Sequence, residues 1–170
     1  MAEEIINRVA KSPLVTIDLE ELYDHRERIG FDLKDLLFQE LILKEKDFRQ
    51  FVKEHEWSQY QDKHFALFCS ADAIVPTWAY MIIASKLKPY AATVSFSSLE
   101  KLEEIIFEKI IDQIDAEEYR EKKIVIKGCS KLAVPTSAYV RLTEKLTPVV
   151  SSIMYGEPCS TVPVYKKPKK

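Results

Sequence analysis

Three cysteines carry most of the chemistry open to this 170-residue sequence. Cys69 opens the stretch Cys-Ser-Ala-Asp-Ala-Ile-Val-Pro-Thr-Trp-Ala-Tyr, and Cys129 opens Cys-Ser-Lys-Leu-Ala-Val-Pro-Thr-Ser-Ala-Tyr. Cys159 closes Met-Tyr-Gly-Glu-Pro-Cys. Three thiolates could hold a transition metal or an iron–sulphur cluster, with Asp72, Glu157 or a histidine completing the shell. The chain has no Cys-x-x-Cys pair, so such ligands would have to converge from three loops. A second chemistry is one reactive thiol, because a helix N-terminus favours the thiolate. No histidine lies in either repeat loop to act as its base. A third is a cradle for a small anion or polar ligand. Ser70, Thr77, Ser130 and Thr136 would supply hydroxyls beside the free N–H groups of helix starts. Against all three stands the plain reading that a small buried Cys is a common core residue. The metal candidates are therefore Cys69, Cys129 and Cys159. The ligand-binding candidates are Ser70, Asp72, Thr77, Ser130, Thr136 and Glu157, and no residue is assigned to catalysis.

Two of these stretches are echoes of each other. Val75, Pro76, Thr77, Ala79, Tyr80, Lys86, Leu87 and Pro89 return as Val134, Pro135, Thr136, Ala138, Tyr139, Lys145, Leu146 and Pro148, all 59 residues later. Background residue frequencies would give roughly one such match over that span. The pattern is read as an internal duplication. The Cys-Ser pairs are 60 apart, so one residue has been gained or lost between cysteine and proline.

The elements that must position these loops follow from periodicity. Residues 3–11 predict a short helix. Residues 14–19 predict a strand, with Val15, Ile17 and Leu19 alternating. Ile29, Phe31 and Leu33 alternate again, and 33–43 fit either period. A helical stripe runs through Phe48, Phe51, Val52 and His55. Then come a strand at His64–Phe68, a proline-started helix to Lys88 and a strand at 92–96. Ser97-x-x-Glu100 reads as a capping box before a helix striped by Leu99, Leu102, Ile105, Ile106, Ile110 and Ile114. The second unit repeats strand (123–127), helix (135–146) and strand (150–155), and Val162 to Tyr165 adds a short edge strand. This alternation predicts an α/β fold: a mostly parallel sheet with helices on both faces, built on a βαβ duplication near 64–96 and 123–155. The expected organisation is a single domain, 1–170. Residues 1–62 add strands and a helix, 63–165 form the core, and 166–170 are a basic tail. Ligands of such sheets collect beyond the strand carboxyl ends, where all three cysteines are expected to share one edge.

Composition removes several classes. The net charge of −2 gives no pull toward nucleic acid or anionic membrane, and Trp57, Tyr60 and Trp78 do not interleave with basic residues. Three glycines argue against nucleotide-phosphate loops. No apolar run approaches a membrane span, and the acidic start is unlike a signal peptide. A cytoplasmic protein is expected, with free thiols rather than disulfides. His25, His55 and His64 are scattered and read as structural.

The stretches Leu43-Lys-Glu-Lys-Asp-Phe-Arg, Cys69 to Tyr80 and Ile153-Met-Tyr-Gly-Glu-Pro-Cys-Ser-Thr-Val-Pro resemble the family of domains of unknown function numbered 2480, typical of Bacteroidetes. The resemblance covers nearly the whole chain and implies no catalytic residue. It implies iron–sulphur assembly proteins as partners. The leading expectation is an accessory protein that binds a metal, iron–sulphur cluster or sulphur species at the three cysteines. The rival is a binding or scaffold module with structural cysteines, dimeric through an apolar edge. A small cysteine-dependent enzyme or an anion site is the third reading.

Overall fold

The computed structural model describes residues 14–128, 131–157 and 159–168. In chain order the elements are β1 (Leu14–Ile17), β2 (Arg28–Asp32), α1 (Glu45–Glu54), β3 (His64–Phe68), α2 (Thr77–Leu87), β4 (Thr93–Phe96), α3 (Leu99–Asp112), β5 (Lys123–Ile126), α4 (Thr136–Leu146), β6 (Ser152–Glu157) and β7 (Ser160–Lys166). Two compact units divide the chain. One is continuous, Asp24–Ile106; the other is split around it, Met1–Tyr23 with Phe107–Lys170.

The class is α/β and the strands are mostly parallel, but they form two sheets rather than one. In the continuous unit the order is β2-β3-β4, all parallel. In the split unit it is β1-β5-β6-β7, with β7 antiparallel to β6. The physical reason lies in the middle strands. β3 and β5 are apolar over almost their whole length, so each must be flanked on both edges. Each takes a different outer strand from the N-terminal third: β3 pairs with β2 and β5 with β1.

Each unit has its own core. In the continuous unit Phe48 and Val52 of α1 and Ala79, Ile83 and Leu87 of α2 close over Phe65 and Leu67. In the split unit Phe107 and Ile111 of α3 and Ala138, Leu142 and Leu146 of α4 close over Ile124, Ile126 and Ile153. Fully burying one such side chain stabilises by about 1.5–3 kcal/mol. The buried residues of α3 are Leu102, Ile106, Phe107 and Ile111, so its buried face is turned from the expected stripe and Leu99 is exposed.

Several boundaries move. The α3 cap is Ser98, whose Oγ accepts from the Lys101 N–H at 3.2 Å. The Ser97 hydroxyl is buried and unbonded instead. The ambiguous stretch after β2 becomes a single 3-10 turn, Leu33–Leu36, followed by a tight turn that bridges Phe38 to Ile42. The last strand reaches Lys166, and Lys167 donates its N–H to Ser151 O at 2.9 Å, so the start of the expected tail belongs to the sheet. The helix expected at 3–11 lies outside the described residues.

Candidate functional site

At the carboxyl ends of β2 and β3, in the continuous unit, one carboxylate ties two loops together. Asp32 ends β2. Its Oδ1 accepts the N–H of Lys34 at 2.9 Å and the N–H of Ser70 at 3.0 Å, and its Oδ2 accepts the Ser70 hydroxyl at 2.5 Å. Burial pushes the Asp32 carboxyl up, but the Ser70 hydroxyl, the two N–H groups and the Lys34 charge outweigh it and hold it below the usual value. The loop from Cys69 to Pro76 is thereby pinned at its start. Cys69 is half-buried, with its Sγ 3.8 Å from Ala71 O.

Beside this loop, α2 and β4 enclose a groove of about 650 Å³ lined chiefly by Leu67, Thr77, Tyr80, Met81, Val94 and Phe96. The Tyr80 and Phe96 rings meet edge to face, centroids 4.9 Å apart. Burial raises the Tyr80 phenol above its ordinary value, and neighbouring Cys69 and Asp32 act in the same direction. The groove is apolar and its rim is bare: Ile74 is 93% exposed, Phe96 73% and Met81 65%.

The split unit has a related but different site. Asp18, just after β1, accepts the N–H of Glu20 at 2.9 Å and pairs with the Lys127 ammonium at 2.7 Å. That hydrogen bond from Lys127 lowers the Asp18 pKa. Glu20 Oε1 accepts the Leu132 N–H at 2.7 Å. The Tyr155 hydroxyl donates to Gly128 O at 3.1 Å, and its ring meets Tyr139 at 5.8 Å. The groove here is about 310 Å³, lined by Ile126, Tyr139, Val140, Thr143, Tyr155 and, from β7, Val164.

The residues expected from sequence to form the site divide between the two units. Cys69, Ser70, Asp72 and Thr77 belong to the continuous unit, and Thr136, Glu157 and Cys159 to the split one. Ser70 is the partner of Asp32, Thr77 is the exposed first residue of α2 on the groove, and Asp72 is exposed outside its lining. Thr136 is the exposed first residue of α4. Glu157 ends β6, where its charge raises the Lys127 pKa behind the larger effect of Asp18. Cys159 is exposed in the turn between β6 and β7. Cys129 and Ser130 lie outside the described residues. The two described cysteines therefore follow strands of different sheets, not one shared edge. Among the described residues no three His, Cys, Asp or Glu side chains gather as metal ligands would. Sequence reasoning missed Asp32 and Phe96. The available signal was position, since an Asp directly after an alternating strand sits at a carboxyl end.

A second polar cluster lies at the opposite, amino end of β2 and β3. Arg28 makes a two-pronged bond to Glu103, both contacts at 2.8 Å. The Arg26 guanidinium bonds Asp24 and holds its carboxyl far below the usual range. His64, buried at the start of β3, has its Nε2 3.0 Å from Asp24 Oδ2.

Fold and site together define a mostly parallel α/β protein with an open apolar groove at the edge of one sheet. The chain belongs to the family described as "Protein of unknown function (DUF2480)", whose profile matches residues 3–167. Neither the curated proteins nor the solved structures give a match. Among the described residues no helix is long and apolar enough to cross a membrane.

Proposed function

We propose that this chain is a non-catalytic binding module that takes an apolar group into the groove between α2 and β4. The observation that supports this reading is the bare rim of Ile74, Met81 and Phe96 around one 650 Å³ space. Single exposed apolar residues are ordinary, whereas contiguous ones around a concave space mark contact sites. Covering one such side chain is worth about 1.5–3 kcal/mol before the cost of association. Asp32 and Ser70 serve by anchoring the loop that forms one wall.

An apolar fluorescent probe such as anilinonaphthalene sulphonate tests the reading. Met81→Glu should weaken probe binding about tenfold, the equivalent of ~1.4 kcal/mol. Val140→Glu, the same helix position 59 residues on, should leave it unchanged. Equal binding by wild type and Met81→Glu would sink the reading.

The rival reading, a metal or cluster held by Cys69, Cys129 and Cys159, rests on the sequence. Metal analysis of protein purified without oxygen separates the two. The groove reading expects no stoichiometric metal.

We also propose that the two units are copies of one ancestor. In support, α2 and α4 start 59 residues apart, as do the 3-10 turns at Trp57 and Ala116. Asp62 and Glu121 share a φ of 58° at matching turns. By that offset Cys69 corresponds to Gly128, so the two cysteines of the echo are one position out of step.

A further inference from the structure

The two grooves are built alike and differ in size, about 650 Å³ in the continuous unit and about 310 Å³ in the split one. In each, a tyrosine of the helix meets a ring of the neighbouring strand edge to face: Tyr80 meets Phe96, and Tyr139 meets Tyr155. The strand registers match, since Leu67 pairs with Phe96 as Ile126 pairs with Tyr155. Two residues beyond Leu67 and Ile126 stand Cys69 and Gly128. They hold equivalent places at the ends of the two middle strands.

Gly128 leaves room for the Tyr155 ring to lie against the backbone. The Tyr155 hydroxyl donates to Gly128 O at 3.1 Å, and a Cβ at that glycine would lie 2.6 Å from Tyr155 Cζ. Carbon atoms meet at ~3.5–4 Å, so a ring in this position and a Cβ exclude each other. Cys69 has the Cβ, and its side chain packs against the core of its unit. A ring on β4 is therefore shut out of the place that Tyr155 takes, and Phe96 has no hydroxyl to hold it there. Phe96 is accordingly 73% exposed where Tyr155 is 40%, and its ring lies nearer its tyrosine, at 4.9 Å against 5.8 Å.

We infer that Cys69 is a positioning residue of the groove: its Cβ holds the Phe96 ring outward and so keeps the larger space open. This rests on the groove reading above and deepens it. The role belongs to the bulk of the side chain and needs no thiol chemistry. Val164 of β7 also lines the smaller groove, so the test alters only residues 69 and 96 of the larger one.

The full chain is titrated with the fluorescent probe, and NMR reads contacts between the ring at position 96 and the Hα of residue 69. In the double variant Cys69→Gly/Phe96→Tyr the ring should fall back as Tyr155 does, its contact to that Hα should appear, and probe affinity should drop about tenfold. Cys69→Ala and Cys69→Ser keep a Cβ and should bind as the wild type does. Gly128→Ala should push the Tyr155 ring outward and admit the probe to a second site, which Val140→Glu removes. A ring that stays outward in the double variant would overturn the inference, because Cys69 is then not what holds it. So would a loss of about tenfold in Cys69→Ala, which makes the thiol the working group. Wild-type affinity in the double variant, with Met81→Glu still weakening the probe, overturns the positioning role and leaves the groove reading standing. No effect of Met81→Glu removes both.

Discussion

Asp32 and Ser70 are 38 residues apart in sequence and joined by two hydrogen bonds, one from the Ser70 N–H at 3.0 Å and one from its hydroxyl at 2.5 Å. The pair locks the end of β2 to the loop that leaves β3. Replacing Asp32 by Ala orphans the N–H groups of Ser70 and Lys34 together with the Ser70 hydroxyl. Ser70 is exposed, so water takes over part of what is lost, and the net worth of such a bond is about 0.5–1.5 kcal/mol. Urea denaturation should show Asp32→Ala destabilised by that amount, and Ser70→Ala by less, because the backbone bond survives. The folded Asp32 carboxyl lies below its unfolded value of 3.8, so its contribution is full above that pH and is lost as pH falls through the folded pKa.

His64 should make stability fall on mild acidification. Burial holds its imidazole below the ordinary 6.5, against the opposing pull of Asp24, with Arg26 and Arg28 adding to the lowering. A lowered folded pKa means the unfolded chain binds the proton more readily below pH 6.5, so stability decreases as pH drops past that point. His55, also lowered first by burial, acts in the same sense. Melting temperatures from pH 7.5 to 5.5 should decline in the wild type and decline less in His64→Gln. An unchanged slope in the variant would count against this account.

Gly156 should be the more demanding of two glycines near Tyr155. Its φ is +123°, and a Cβ there would lie 2.6 Å from the Ser160 carbonyl oxygen. Strain of that kind costs about 1–3 kcal/mol. At Gly128 φ is not in the left-handed region, and the three nearest atoms to an added Cβ all belong to the far end of the Tyr155 side chain rather than to backbone. Thermal unfolding should therefore rank Gly156→Ala below Gly128→Ala. Gly156→Ala should also loosen β7 and open the split unit's groove to the fluorescent probe.

Removing the thiols should leave groove binding intact. No cysteine is among the residues lining the groove, and the two described ones are unpaired. The triple variant Cys69→Ser, Cys129→Ser, Cys159→Ser should bind the apolar probe with wild-type affinity. A fall of tenfold or more would return the cysteines to the centre of the site.

Much of the chain's local order was legible beforehand. β3 runs from His64 to Phe68 as its apolar run predicts, and α2 and α4 begin one residue after their prolines. The predicted α3 stripe takes Leu99 and omits Phe107, whereas Phe107 is buried and Leu99 exposed. Both choices fit a 3.6-residue period, and only packing against β5 decides which face is inside. Ser70 and Thr77 were expected to offer hydroxyls to a small anion or polar ligand; in the structure the Ser70 hydroxyl bonds Asp32 and Thr77 lines the apolar groove. Asp32 was not named, because nothing near it in sequence shows that Ser70 will be its neighbour.

The sequence by itself determined the alternation of strand and helix and the echo between its two halves, since both depend on residues close along the chain. Only the tertiary structure decided that the strands part into two sheets, that β7 covers β6, and that β4 lies beside an open groove. Strand pairing is settled by burial between residues far apart in sequence. Local periodicity states that a strand must be covered, and the assembled sheet decides by what.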